Sequence, residues 1–162
     1  MPVQVGLDAD SREIPNVQLA MDGRSSETRR DKVENLIREF INQRVWAVVG
    51  ASTDASKYGN KIFRTLRSAG YTVYGVNPRG GEIEGQELYR SLADLPEKPA
   101  VVDTVVPPRV TEQVVGQCAE LGLDQVWMQP GSESQTAIAF CQEHGIKVVH
   151  GVCAMIRRRT WS

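Results

Sequence analysis

Histidine, cysteine and aromatic residues are scarce in this chain, and each scarcity excludes something. The only two histidines, His144 and His150, stand far from any carboxylate cluster with metal-ligand spacing. The three cysteines, Cys118, Cys141 and Cys153, are an odd count without zinc-type spacing. They indicate neither a disulfide framework nor a cysteine-rich metal site, and they fit a cytoplasmic protein with reduced thiols. No apolar run approaches the roughly 20 residues needed to span a bilayer. The first sixteen residues, MPVQVGLDADSREIPN, have neither the charged start nor the apolar run of a secretory signal. A formal net charge of -1 makes no electrostatic case for nucleic acid or a membrane as partner. The basic runs Arg29-Arg30 and Arg157-Arg158-Arg159 are short and read as solvated surface. Ser, His and Asp do not fall at strand ends as a triad, and no G-x-S-x-G elbow occurs. The expectation is therefore no catalytic set and no metal.

What is present is a regular alternation. At 162 residues, 41% apolar and 24% charged, the chain is one soluble globular domain with a short extension. Residues 1–24 lack periodicity and read as a loosely ordered arm. Residues 25–44 read as a helix, with Val33, Leu36, Ile37, Phe40 and Ile41 at helical spacing and Ser25 or Ser26 to cap it. Residues 45–162 carry five short apolar runs, 46–51, 71–77, 100–106, 124–129 and 146–151, separated by helical patterns. Three helices end in the same way, as SAG-YTV, ELG-LDQ and EHG-IKV, with a glycine feeding directly into the next strand. Such connections imply right-handed crossovers and a parallel sheet. The expected fold is α/β, a Rossmann-like doubly wound five-stranded parallel sheet. Counted along the chain, the expected strand order is 3-2-1-4-5, with the binding crevice between the ends of strands 1 and 4.

In such a sheet the residues just after each strand face the ligand. After the first strand come Gly50, Ala51, Ser52 and Thr53, then Lys57 and Tyr58 leading into a helix. Small residues there let the backbone approach a phosphate, and the helix N-terminus favours the anion. Ser52 and Thr53 are equally suited to capping the helix, and the same loop also reads as an ordinary strand-to-helix turn. Its spacing is neither G-x-G-x-x-G nor G-x-x-x-x-G-K-[ST]. After the second strand come Asn77, Pro78 and Arg79, where an NAD-binding protein places Asp or Glu. Arg79 suits a phosphorylated ribose, which both NADP and coenzyme A carry, while Asn77-Pro78 is also a simple turn. Val106 and Pro107 follow the third strand, Gln129 the fourth, and His150 and Cys153 the fifth. Asp103, inside the third strand, reads as locally paired. His144 reads as a surface residue at a helix end and His150 as a satisfied structural histidine. Cys153 reads as a small pocket-lining residue, with an activated thiol as the alternative.

With these strand ends assembled, the chain resembles the stand-alone CoA-binding domain proteins. They are a Rossmann-like family related to the CoA-binding domain of the succinyl-CoA synthetase α subunit. The matching stretches are 48–52, 74–96, 107–115, 126–134 and the cysteine of GVCAM, and they span about Val45 to Ile156. The resemblance implies a diphosphate cradle at Gly50, Ala51 and Ser52, and a nucleotide end at Asn77, Pro78 and Arg79. It implies a ligand flank at Val106 and Pro107, where some relatives have a basic residue and this chain has none.

The function expected from both lines is a small cytoplasmic protein that binds coenzyme A or an acyl-CoA without catalysing a reaction. The candidate ligand-binding residues are Gly50, Ala51, Ser52, Lys57, Tyr58, Asn77, Pro78, Arg79, Val106, Pro107, Gln129 and Cys153. The alternatives are an NADP-dependent oxidoreductase, a fragment of an acyl-CoA ligase, or a ligand-dependent sensor. In the sensor reading, the first helix is the surface for an unidentified protein partner.

Overall fold

A computed structural model describes residues 27–161. The expected arm over 1–24 lies outside them, as do Ser25 and Ser26. Contacts divide the chain after Leu36 into two units, and residues 27–36 are the described part of the first. There helix α1 (Arg29–Ile41) begins. Its start is fixed by a reciprocal pair, in which the Thr28 hydroxyl accepts from Asp31 N–H at 3.0 Å and the Asp31 carboxylate accepts from Thr28 N–H at 3.1 Å. The pair satisfies helix-start donors that have no partner within the helix.

From Ile37 onward the chain forms the body. Strand β1 (Val45–Val49) leads to α2 (Tyr58–Ser68) and β2 (Thr72–Val76). A small hairpin of β3 (Glu82–Ile83) and β4 (Gln86–Glu87) and a 3₁₀ turn over Leu92–Asp94 follow. Then come β5 (Val101–Thr104), α3 (Pro108–Leu121), β6 (Gln125–Met128), α4 (Gln135–Glu143), β7 (Lys147–His150) and α5 (Ala154–Arg157). The five long strands form one parallel sheet, as the alternation of short apolar runs and helices requires.

Its order is β2-β1-β5-β6-β7, which counts the five long strands as 2-1-3-4-5. The expected order 3-2-1-4-5 is corrected here. The third long strand pairs with β1 on the side away from β2, Trp46 facing Val101 and Val49 facing Thr104. Burial gives the physical reason. All four residues of β5 are buried, as only an interior strand can be, whereas β2 exposes Thr72 and half-exposes Tyr74 and is suited to an edge. The reversal of strand order therefore falls between β1 and β5, and the crevice moves there with it.

Register aligns the strand ends. Val49 faces both Val76 and Thr104, Thr104 faces Met128, and Met128 faces His150, one row across the sheet. Every following loop thus emerges on one edge. Beneath that edge the sheet is apolar on both faces. Ala47, Val49, Val102, Val126 and Met128 pack with Val114, Val115, Cys118, Ala137 and Cys141 of α3 and α4. The opposite face is aromatic, with Trp46 and Trp127 5.7 Å apart and Phe40 6.3 Å from Trp127, all fully buried. Each indole finds a backbone acceptor, Trp46 on Gln43 O at 2.8 Å and Trp127 on Val152 O at 2.9 Å.

The three helix-ending glycines behave as their pattern predicts. At each end the residue after the glycine donates back across the last turn, Tyr71 to Leu66 O, Leu123 to Cys118 O and Ile146 to Cys141 O. Gly145 has φ +70° with nothing within 4 Å of where a Cβ would stand, so only backbone conformation penalises a side chain there. Gly145→Ala is expected to cost about 1 kcal/mol, read as a lower urea midpoint with an unchanged slope. An unchanged midpoint would refute that account of the helix end.

The Arg157–Arg159 run departs from the solvated-surface reading. The Arg159 guanidinium stacks 4.0 Å from the Trp161 ring and donates to Asn42 Oδ1 at 2.9 Å. Trp161 N–H donates to Ala69 O at 2.8 Å, and Arg159 N–H to the Tyr71 hydroxyl at 3.0 Å. The segment is a strap tied to the lower end of α2 rather than a free basic tail.

Candidate functional site

Of the buried polar side chains among the described residues, Asn60, Asp103, Thr104, Gln129 and Ser132 lie along or just beyond the row of strand ends, whereas Thr111 lies in α3 with its hydroxyl unpartnered. Burying such groups is unfavourable unless they are paired, and each of the five at the strand ends is paired. Gln129 donates its amide to both Asp103 carboxyl oxygens, at 2.8 and 3.0 Å, and its own carbonyl accepts weakly from Ala154 N–H at 3.4 Å. Ser132 and Thr104 join hydroxyls at 2.8 Å. Asn60 donates to Ser52 O at 2.7 Å, tying α2 to the loop after β1.

That loop is the tightest part of the edge. Gly50 has φ +105°, and a Cβ on it would enter the Val105 carbonyl and lie 2.9 Å from Val106 Cγ1. A Cβ on Gly59 would enter the Gly50 carbonyl oxygen. Glycine at both positions thus brings the start of α2 onto the loop and the loop onto the chain after β5. Lys57, at the N-cap position of α2, makes no side-chain bond to the helix. Ser52 does not cap it either, since its hydroxyl accepts from Asp54 N–H at 3.1 Å. The Asp54 carboxylate turns onto Ser56, whose hydroxyl and N–H bonds hold it below the usual carboxylate range. The positive end of α2 is left without a side-chain cap, beside a loop of small residues.

The end of β2 is built differently from its simple reading. Asn77 is consumed structurally, donating to Ala51 O at 2.8 Å and accepting from Arg79 N–H at 2.9 Å. Pro78 and Arg79 are exposed on the resulting turn. Gly81 closes toward the first loop, where a Cβ would meet Thr53 Cγ2 at 2.6 Å. Sequence reasoning missed Arg90. Tyr89 bridges Val76 in parallel, and this carries Arg90 back to the turn, where its Nη1 donates to Pro78 O at 2.9 Å. The signal was faint, one arginine inside the 77–100 connection that has no long periodic element.

Tyr58, Val105, Val106, Pro107, Gln129, Pro130, Gly131 and Ser132 line one cleft of about 280 Å³ between the ends of β1, β5 and β6. Four predicted residues, Tyr58, Val106, Pro107 and Gln129, meet there. Gly50, Ala51, Ser52 and Asn77 form the adjoining loop wall. Lys57 and Arg79 are exposed and do not line the cleft, nor does Cys153, which is buried one side chain behind it. Its Sγ lies 3.1 Å from the Tyr58 hydroxyl. That bond, with burial and the nearby thiol and carboxyl, pushes the Tyr58 hydroxyl up to about 12, so it stays protonated. His144 is exposed and stacked on Phe140 at the end of α4. His150 is exposed, against the reading of it as a satisfied structural histidine.

Asp103 is fully buried beneath the cleft, and desolvation raises its pKa well above the ordinary 3.8, with the Gln129 amide opposing. The folded chain therefore keeps this proton after the unfolded chain has lost it. Asp103 contributes most to stability at low pH, and the contribution declines as pH rises from the ordinary carboxylate value toward the raised one. Asp103→Asn is expected to remove that slope, so its stability relative to wild type increases as pH rises above the ordinary carboxylate range. Urea unfolding as a function of pH measures it, and parallel curves would show that Asp103 does not titrate this way.

Comparison with known proteins bears on what such an edge holds. A family model described as a CoA-binding domain matches residues 44–159. The chain is 28% identical over 128 residues to the α subunit of an ADP-forming acetate–CoA ligase II from Pyrococcus furiosus, covering 72% of this chain and 28% of that one. It thus spans little more than a quarter of that relative. Among solved structures it resembles a conserved hypothetical protein from Pyrococcus furiosus at 42% identity and TM-score 0.67, covering 70% of this chain and 97% of the other. A hypothetical protein from Pyrococcus horikoshii OT3 matches at 34% identity and TM-score 0.73, covering 77% and 88%. The chain belongs to the family of CoA-binding domains.

Proposed function

We propose that the protein binds coenzyme A or an acyl-CoA along the strand-end edge and does no chemistry on it. The observation that carries this reading is the uncapped N-terminus of α2, held by Gly59 against the Gly50 loop. A diphosphate is what such a backbone surface takes without steric or charge conflict. Arg79, with Arg90 on the same turn, would hold the phosphorylated ribose. The cleft from Tyr58 to Ser132, with Val106 and Pro107 as its rigid wall, would receive the apolar part of the ligand.

NAD fits less well, because Asn77 has no free side-chain atom pattern for ribose hydroxyls and no carboxylate replaces it. Membership in a CoA-binding family favours CoA over NADP. Among the described residues no helix is long and apolar enough to cross a membrane and all three cysteines are free, in keeping with a cytoplasmic protein. Calorimetry of ligand-free protein against CoA, acetyl-CoA, NAD and NADP tests the reading. Saturable binding of the CoA ligands and weaker or absent binding of NAD is the expected result. NADP binding tighter than CoA would replace the proposal with the nucleotide alternative.

A further inference from the structure

We propose that the groove between the lower half of α2, the β3–β4 turn and the C-terminal strap is a second ligand site, for a small phosphate-bearing anion. The groove has a volume of about 340 Å³ and is lined by Arg64, Thr65, Ser68, Glu84, Arg158 and Thr160. It is separate from the strand-end edge. Tyr58 marks the edge, and Ser68 lies about 15 Å further along the helix axis at ~1.5 Å per residue.

The lining has the chemistry of phosphate recognition. Two guanidinium groups come from different elements, Arg64 from α2 and Arg158 from the strap, and three hydroxyls accompany them. A guanidinium presents paired donors that match phosphate oxygens, and hydroxyls supply further neutral donors. Arg64 uses only Nε internally, donating to Asn60 Oδ1 at 2.6 Å, so the outer part of its fork stays available. Arg158 donates through Nη1 to Met155 O, which leaves its other amino group. Lys61 and Arg67 stand exposed on the same helix and add positive potential to a chain whose net charge is -1.

The walls are built rather than frayed. The strap is pinned by the Trp161 and Arg159 backbone bonds to Ala69 and Tyr71, and by Trp161 lying between Arg44 and Arg159. Gly70 allows this approach, since a Cβ on it would meet Trp161 Cβ at 2.7 Å. Glu84 is the one acidic group in the lining and holds a left-handed backbone, φ +48°, at the tip of the β3–β4 turn. No ion pair joins it to Arg64 or Arg158 among the described residues. Its carboxylate is the anion an incoming ligand must outcompete, which selects for a multiply charged phosphate over a monoanion.

The test is an amide NMR titration of the full chain with sodium pyrophosphate, against sodium chloride at matched ionic strength. Saturable shifts at Arg64, Thr65, Ser68, Glu84, Arg158 and Thr160 are expected with pyrophosphate alone. Arg158→Gln and Arg64→Gln should each weaken binding there about tenfold, while shifts at Gly50–Ser52 stay as in wild type. Glu84→Gln should tighten it. Arg158→Gln leaves the Arg64–Asn60 bond intact, so a loss in both variants is not a folding effect. Equal shifts with chloride, shifts confined to Gly50–Ser52, or no change in either arginine variant would overturn the proposal. Tighter binding of a polyglutamate peptide than of pyrophosphate at the same residues would also overturn it, in favour of a protein partner.

Discussion

Gly50→Ala is expected to abolish measurable CoA binding and to lower stability by about 3 kcal/mol, from backbone strain together with overpacking. Two costs coincide at this residue. Its φ of +105° lies where side-chain-bearing residues are strained, and the added Cβ enters a backbone carbonyl rather than a yielding side chain. That carbonyl cannot retreat, because Val105 N–H donates to Val49 O at 2.8 Å as β5 pairs with β1. The loop must move instead, and it carries the start of α2 with it through the Gly59 contact. Gly145→Ala is the comparison, a substitution of the same kind at a remote helix end. Stability should fall in both, measured by urea unfolding, and affinity by calorimetry only in the first. Wild-type affinity in folded Gly50→Ala would show that the loop does not seat the ligand.

Replacing both Arg79 and Arg90 by Gln is expected to weaken CoA binding about tenfold and to leave 3′-dephospho-CoA nearly unchanged. The two arginines converge on one turn, Arg90 bonding Pro78 O and Arg79 exposed beside it. Both are solvent-facing, so the effect is held to this size by screening, and wild-type affinity for CoA should fall with added salt more steeply than the variant's. Equal losses for the two ligands would mean that the turn supports the loop rather than reading the phosphorylated ribose.

These two sites differ in how far the sequence exposed them. The tight turn at Gly50 was legible, because a β-branched run ending in glycine and small residues marks a close strand-to-helix connection in a parallel sheet. The closing glycines at 70, 122 and 145 were legible for the same reason, since each marks a change of period from helix to strand. Strand order was not. Short βα connections fix that strands are parallel but not on which side of β1 the third lands, and the decisive signal was compositional. An all-buried VVDT belongs inside a sheet, and a strand with Thr72 and Tyr74 belongs at its edge. Arg90 was hidden because the 77–100 connection has no periodicity to place it. The roles of Asn77 and Ser52 were hidden because a short polar side chain at a strand end looks alike whether it faces a ligand or its own backbone. The strap was misread because charge runs carry no information about a tryptophan two residues on.

The most direct measurement of the central claim is an amide NMR titration of the ligand-free protein with coenzyme A. Saturable shifts centred on Gly50–Ser52, Asn77, Arg79, Val106 and Gln129 are the expected result. No saturable binding at millimolar CoA, or binding whose shifts lie away from that edge, would contradict it.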